Sequence, residues 1–357
     1  MTLMKKNILV VDDSALMRRV MCDIINSDSK FQATDYCKDG LEAYEKLKTT
    51  HYDGVVLDVN MPRMDGLQLL ERLQKEGIRA NIVMVSTLTS SRDADVTILA
   101  MERGAIDFVA KPTNIIEAKG EKFKRQLLDV LSAVLTTQSA IVQKKPLPRP
   151  TAPKVMVRRA TGGKNKLVAI ACSTGGPKAL QSVIPYLPAN LDAPVMLVQH
   201  MPPGFTKSMA ERLNQLSKIK VKEAEDGDRL EKGCVYIAPG GKHMKAARSA
   251  DGSNRIVLDD TTPAIGGLKP CANLMYDALT GTSYDEIICV VLTGMGADGT
   301  NGILSLGRKK PIRVIAQDEK TCVVYGMPKA IYEAGVVDEV VSLDEVAQTI
   351  TKNVGVK

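Results

Sequence analysis

The chain has 357 residues, 44% of them hydrophobic and 25% charged, with 48 Lys/Arg against 41 Asp/Glu and three histidines. That length allows two or three domains with cores of their own, and that balance excludes disordered and fibrous classes. The net charge of +7 sits almost wholly in residues 126–166, which carry eight Lys/Arg and one Asp, while the regions on either side are neutral. A basic stretch between two neutral halves is a weak nucleic-acid footprint, so no nucleic-acid partner is expected. No apolar run nears the ~20 residues of a membrane span, and the first residues carry no signal-peptide pattern. Seven scattered cysteines form no C-x-x-C, and three histidines make no zinc constellation. These features predict a reduced, cytoplasmic protein that is not membrane-inserted.

From Asn7 strand and helix alternate: Ile8–Val11 reads as a strand, Ser14–Ile25 as a helix, Gly54–Leu57 as a strand and Gly66–Gln74 as a helix. Ile82–Val85 and Phe108–Val109 are further apolar runs, which predicts a doubly wound fold of five βα units over about 120 residues. Asp12-Asp13, Asp58 and Ser86-Thr87 each fall at a strand's carboxyl end, and Lys111-Pro112 follows the last strand. Three carboxylates gathered on one edge repel one another and call for a hard divalent cation with oxygen ligands. A lysine opposite them balances charge and suits a phosphoryl oxygen.

Ile-Leu-Val-Val-Asp-Asp-Ser (8–14), Leu-Asp-Val-Asn-Met-Pro-Arg-Met-Asp-Gly (57–66) and Lys-Pro (111–112) together resemble a two-component response-regulator receiver domain. The resemblance implies a flavodoxin-like fold and a phosphoryl group accepted by Asp58 from a histidine kinase. It also implies Mg²⁺ held by Asp12, Asp13, Asp58 and the carbonyl of Asn60. Ser86 and Lys111 would contact the phosphoryl oxygens, and Phe108 takes the aromatic switch position.

A helix is expected over Glu121–Leu135, and the pattern then decays. Pro-Leu-Pro-Arg-Pro, Thr-Ala-Pro and Gly-Gly read as a semi-extended linker, giving expected boundaries of 1–125, 126–165 and 166–357. Past the linker, Leu167–Cys172 is an unbroken apolar run, the pattern of a parallel strand buried on both faces. Ser173 follows it, then two glycines and Pro177 opening a helix. A hydroxyl on such a turn, beside backbone N–H groups and a helix N-terminus, suits either a nucleophile or a phosphate cradle.

Pro194–Gln199, Cys234–Ala238, Glu286–Leu292 and Arg313–Ala316 read as further strands. His200 follows the first of these, and Thr-Gly-Met-Gly-Ala-Asp-Gly (293–299) follows the third. Acyl transfer assigns Ser173 as nucleophile, His200 as general base and Asp298 as the acid that orients the imidazole. Asp318, past the last strand, is a rival for the acid, and Asp298 could instead cap its own turn. The glycines around Met295 let backbone N–H groups face an oxyanion. His243 lies in a polar turn and reads as exposed. Cys172 ends a buried strand, where thiols are inert.

Ala-Cys-Ser-Thr-Gly-Gly-Pro (171–177), Val-Gln-His-Met-Pro-Pro-Gly-Phe-Thr (198–206), Tyr-Ile-Ala-Pro-Gly-Gly (236–241) and Leu-Thr-Gly-Met-Gly-Ala-Asp-Gly (292–299) closely resemble the chemotaxis protein-glutamate methylesterase (CheB) family. The resemblance implies a doubly wound, mainly parallel α/β catalytic domain. It implies hydrolysis of glutamate methyl esters, and deamidation of certain glutamines, on methylated chemoreceptors in chemotaxis adaptation, with no cofactor for the ester step. It supports the Ser173, His200 and Asp298 assignment, adds the N–H groups of Thr174 and Met295 as oxyanion donors, and implies activation by receiver phosphorylation. Two departures stand out: Ala-Cys-Ser replaces the usual Gly-Ala-Ser, and Lys269-Pro-Cys-Ala-Asn273 replaces Arg-Pro-Ser-Val-Asp. A DNA-binding output would need a helix-turn-helix after the linker, and a nucleotide-binding one a G-x-x-x-x-G-K-[ST] string; neither is present.

Overall fold

The computed structural model describes residues 4–87, 91–112, 114–140, 157–160 and 162–356. The chain divides into two compact units, Met1–Gln143 and Lys144–Lys357. No helix among the described residues is long and apolar enough to cross a membrane.

The first unit is a five-stranded parallel sheet built from β1 (Lys6–Val11), β2 (Phe31–Cys37), β3 (Gly54–Asp58), β4 (Ile82–Ser86) and β5 (Asp107–Ala110), in the order β2-β1-β3-β4-β5. Local chemistry starts the helices between them. Ser14 Oγ accepts from Met17 N–H ahead of helix Ala15–Asn26. Asp65 and Gln68 form a reciprocal capping box ahead of helix Gly66–Lys75. Ile8, Val10, Val56, Val83 and Val85 on one sheet face pack with Met21, Ile25, Phe123, Leu127 and Leu131. The strand order reverses beside β1, which brings the carboxyl ends of β1 and β3 together in register, Val11 opposite Leu57. The last helix runs Glu121–Ala140, longer than the expected 121–135 and well into the segment read as linker. Leu127, Leu131, Val134 and Leu135 recur at helical spacing and are buried, which carries the helix past residue 126.

In the second unit, β6 (Lys166–Cys172), β7 (Val195–Gln199), β8 (Lys220–Glu223) and β9 (Cys234–Ile237) precede an antiparallel hairpin, β10 (His243–Arg248) with β11 (Asn254–Asp259). Then come β12 (Glu286–Val291), β13 (Ile312–Gln317) and β14 (Glu339–Val341). Seven of these form one sheet, β14-β13-β12-β6-β7-β9-β8, with every neighbouring pair parallel. The central strands β6, β7 and β12 are apolar and almost wholly buried on both faces. Beneath the β6–β12 pair, buried Tyr276 donates its hydroxyl to the carbonyls of Ala169 and Val290, each at 3.1 Å. That phenol fixes helix Ala272–Ala278 against the point where the winding reverses. The supposed linker also ends early. Arg158 N–H donates to Gly307 O, Ile312 N–H donates to Arg158 O, and Val157 packs on the core.

Candidate active site and acidic cluster

Ser173 sits at the carboxyl end of β6, its N–H donating to Thr293 O at 3.0 Å. That bond ties the serine corner to the loop after β12. The same loop passes so close that a Cβ on Gly294 would lie 2.8 Å from Ser173 Cβ and 2.4 Å from Met327 Sδ. Only glycine allows that approach. Thr293 Oγ1 donates to the carbonyl of Thr174 at 3.0 Å and accepts from Val324 N–H, and Thr293 N–H donates to Gln317 Oε1. Thr293 thereby ties the residue after Ser173 to the loop that carries Met295. Neither the Thr174 nor the Met295 N–H group has a hydrogen-bond partner among the described residues. Sequence reasoning passed over Thr293 and Gln317; a buried polar residue at each of two adjacent strand ends was the available signal.

His200 follows β7, the neighbour of β6, and its N–H donates to Cys172 O at 3.2 Å. Its Nε2 lies 2.8 Å from Asp298 Oδ2, and both side chains are buried. Asp298 accepts further bonds from Ala272 N–H at 2.6 Å, Asn273 N–H at 3.0 Å and Gly299 N–H at 2.9 Å, and from the Cys271 thiol at 3.2 Å. Burial pushes its carboxyl up. The hydrogen bond and charge of His200 and the N–H groups of Ala272 and Asn273 outweigh burial and hold it at about 2. Because Asp298 only accepts, Nε2 carries the proton and Nδ1 presents a lone pair. Nδ1 is buried and has no hydrogen-bond partner, so no bond to Ser173 is formed here.

The cradle makes Asp298 a stabilising anion. With the folded carboxyl at about 2 and the unfolded one near ~4, its contribution is complete above the unfolded value and is lost as pH falls through the folded one. Asp298→Asn should therefore cost about 2 kcal/mol at pH 7, a gap that narrows steadily as pH falls from about 5 through about 2. Urea unfolding of the full chain at several pH values measures it.

The expectation for His243 is corrected. It is fully buried in β10, where Nδ1 accepts from Cys271 N–H at 3.2 Å and Nε2 donates to Pro263 O at 3.1 Å. Met244 and Ala246 carry the core-facing side of β10, and His243 is buried on the other side, where its two bonds make it a brace for the segment that cradles Asp298. The departures at 271 and 273 are structural as well. The Cys271 thiol contacts Asp298, while Asn273 Oδ1 accepts from the N–H groups of Gly299 and Gly302, capping helix Thr300–Lys309. Asp318 takes both Thr321 donors within its own turn. Cys172 is fully buried beneath the corner, and burial drives its thiol far above the usual range.

In the first unit, Lys111 Nζ lies 2.7 Å from Asp12 Oδ2 and 2.6 Å from Asp58 Oδ2, with all three side chains largely buried. One oxygen from each of Asp12, Asp13 and Asp58 falls within a 4.8 Å cluster. Burial and the charge of Asp12 raise the Asp58 carboxyl, and Lys111 only partly opposes them. Burial alone would lower Lys111, but the two carboxylates keep its ammonium firmly protonated. Excess buried negative charge on oxygen donors at this spacing fits a hard divalent cation. Ser86 is buried and accepts from Thr97 Oγ1 at 2.7 Å, Phe108 is turned inward, and Asn60 is exposed in the loop after β3.

Comparison with known proteins matches each unit to a family. The family model described as CheB methylesterase matches residues 168–350, and the one described as response regulator receiver domain matches residues 8–119. A protein of Syntrophomonas wolfei named protein-glutamate methylesterase/protein-glutamine glutaminase 1 is 42% identical over 353 residues, covering 97% of this chain and 98% of its own. The protein-glutamate methylesterase/protein-glutamine glutaminase of Bacillus subtilis is 39% identical over 350 residues, covering 96% and 97%. The crystal structure of the Thermotoga maritima CheB methylesterase catalytic domain, 43% identical, covers 53% of this chain and 98% of that one with a TM-score of 0.50. The chain belongs to the CheB methylesterase family, with a response regulator receiver domain ahead of its methylesterase domain.

Proposed function

We propose that this protein is a phosphorylation-activated hydrolase that removes methyl esters from glutamate side chains of chemoreceptors and deamidates certain receptor glutamines. The observation that carries the reading is the pair His200 Nε2–Asp298 Oδ2 at 2.8 Å beside the Ser173 corner. Ser173 Oγ attacks the ester carbonyl carbon while its proton passes to Nδ1 of His200, the nitrogen left free by Asp298. The developing oxyanion meets the N–H groups of Thr174 and Met295. The tetrahedral intermediate collapses, the proton on Nδ1 goes to the methoxy oxygen, and methanol leaves an acyl-serine. Water then attacks that acyl carbon with Nδ1 as base, Ser173 regains its proton, and a glutamate carboxylate is released. A glutamine follows the same course, with ammonia as the leaving group. Asp298 stays ionised throughout, holding the imidazole tautomer and supporting the imidazolium. The test is mass spectrometry of a methylated receptor signalling domain incubated with the full chain. Glutamate methyl esters should disappear as methanol appears; persistence of every ester would overturn the reading.

In the receiver, Asp58 accepts the phosphoryl group from a histidine kinase, and Asp12, Asp13, Asp58 and the Asn60 carbonyl would hold Mg²⁺. When bound, that ion neutralises the charge gathered between the carboxylates and an incoming phosphoryl group. Lys111 and Ser86 take phosphoryl oxygens, Ser86 by turning its own hydroxyl proton away from the Thr87 carbonyl, and Phe108 reports that shift. Activation then amounts to lifting a restraint that the unphosphorylated receiver places on hydrolysis, a coupling of about 1–3 kcal/mol. A fragment of residues 157–357 should accordingly hydrolyse esters roughly 5- to 150-fold faster than the unphosphorylated full chain and ignore a phosphodonor. Parallel methanol-release assays measure this. A folded fragment slower than the intact chain would mean that the receiver activates by a positive contribution. All seven cysteines are free, which fits a reduced, cytoplasmic setting.

A further inference from the structure

Gln199 closes an otherwise apolar strand, Val-Met-Leu-Val-Gln, and is 2% exposed. Its side-chain Nε2 lies 3.0 Å from the carbonyl oxygen of Ser173 and 3.0 Å from that of His200. Both partners only accept, so the carboxamide must turn its NH₂ to them, and each N–H has one partner. Oε1 is left buried with no hydrogen-bond partner. A Cβ at residue 176 would come within 1.9 Å of Oε1, and Gly176 leaves that space open. A buried amide with an unpaired acceptor is a costly way to fill a core, and its two donor contacts are what it supplies in return.

The position of the amide accounts for it. The last backbone rung between β6 and β7 is His200 N–H to Cys172 O. Beyond that rung Ser173 turns towards helix Gly176–Gln181, while the chain from His200 leads to helix Phe205–Leu216. Backbone pairing no longer sets the distance between residues 173 and 200. The Gln199 side chain spans this gap with two hydrogen bonds, one to each of the residues read above as nucleophile and base.

We propose that Gln199 is a positioning residue that sets the separation and orientation of Ser173 and His200, with Gly176 making room for it. The proposal rests on the serine-hydrolase reading. Gln199→Met keeps the length and removes both donors. Gln199→Glu keeps the shape, has no donor when ionised, and regains one when protonated. In the full chain, kcat for methyl-ester hydrolysis should fall about 10- to 100-fold in the Met variant while KM stays within about twofold. The deficit of the Glu variant should shrink as pH is lowered, a dependence that a merely structural role would not produce.

A fluorophosphonate probe, which phosphonylates an activated serine with loss of fluoride, separates this proposal from the reading beneath it. Labelling of wild-type Ser173 that is correspondingly slower in folded Gln199→Met supports the proposal. Equal labelling rates in the two overturn it. If wild-type Ser173 is not labelled at all, the serine-hydrolase reading falls and the proposal with it. Should the Met variant fail to fold, the Glu variant decides, and a pH-independent ratio to wild type overturns the positioning role.

Discussion

Ser173→Ala should lower methanol release from a methylated receptor by about 10⁴-fold or more, with no comparable loss of stability. The corner's shape resides in its backbone. Ser173 N–H is bonded to Thr293 O, and Ser173 O accepts from Gly176 N–H and the Gln199 amide, none of which involves the hydroxyl. His200→Ala should be about as damaging, because a neutral serine without a base is a weak nucleophile. The double variant should be little worse than either single one, since the two residues act as a unit. Asp298→Asn should lose less in kcat, for the nucleophile and base remain and only the tautomer and charge support suffer. Cys172→Ala should leave turnover nearly unchanged, its buried thiol making no contact with the lone pair of His200. Steady-state methanol release at saturating substrate, beside the unfolding midpoint of each variant, measures all of these. Full turnover by Ser173→Ala would end the serine mechanism.

Legibility in the sequence followed burial. Strands apolar on both faces, β6, β7 and β12, stand out as continuous runs, and residues just past them gather at one sheet edge by topology alone. That is why Ser173, His200 and Asp298 could be proposed together. β2 reads Phe-Gln-Ala-Thr-Asp-Tyr-Cys and alternates buried with exposed, so it made no apolar run. β8, β10, β11 and β14 are short or half-exposed and were likewise not singled out. The hairpin mattered most, since its first residue, His243, is buried against the Cys271 N–H.

The cradle of Asp298 was invisible for a different reason. It is built largely from backbone N–H groups of residues more than twenty positions upstream, which carry no side-chain signature. The departures from the family pattern at 271 and 273 carry no sign of a role when read as letters. In space, Cys271 and Asn273 touch Asp298 and the helix that follows it, so their effect falls on the geometry of the acid. The early end of the linker had no signature either, because Arg158 joins the second unit through main-chain hydrogen bonds.

Asp58→Asn should abolish labelling by a small phosphodonor and leave the full chain with the low esterase rate of its unphosphorylated state. Every other acid near β3 is committed elsewhere. Asp53 lies before the strand and holds Lys6 Nζ at 3.0 Å and Asn7 N–H at 2.8 Å, while Asp65 caps helix Gly66–Lys75. Asp12 is fully buried against Lys111, and Asp13 is exposed beyond it. Asp58 alone is both at the carboxyl end of β3 and inside the basic contact, its Oδ2 2.6 Å from Lys111 Nζ. The substitution also removes one of two carboxylates buried together, a repulsion that Lys111 only partly offsets. The metal-free receiver of the variant should therefore unfold at a higher temperature than that of the wild type at pH 7, even though activation is lost. Mg²⁺ should raise the wild-type midpoint more than the variant's, because a ligand that binds the folded state stabilises it by an amount that grows with the logarithm of its affinity. Phosphate uptake followed by mass spectrometry, methanol release and thermal unfolding of the same samples give three independent readings. Peptide mapping that places the phosphoryl group on Asp53 or Asp65, or undiminished activation of Asp58→Asn, would mean that the switch lies elsewhere in the receiver.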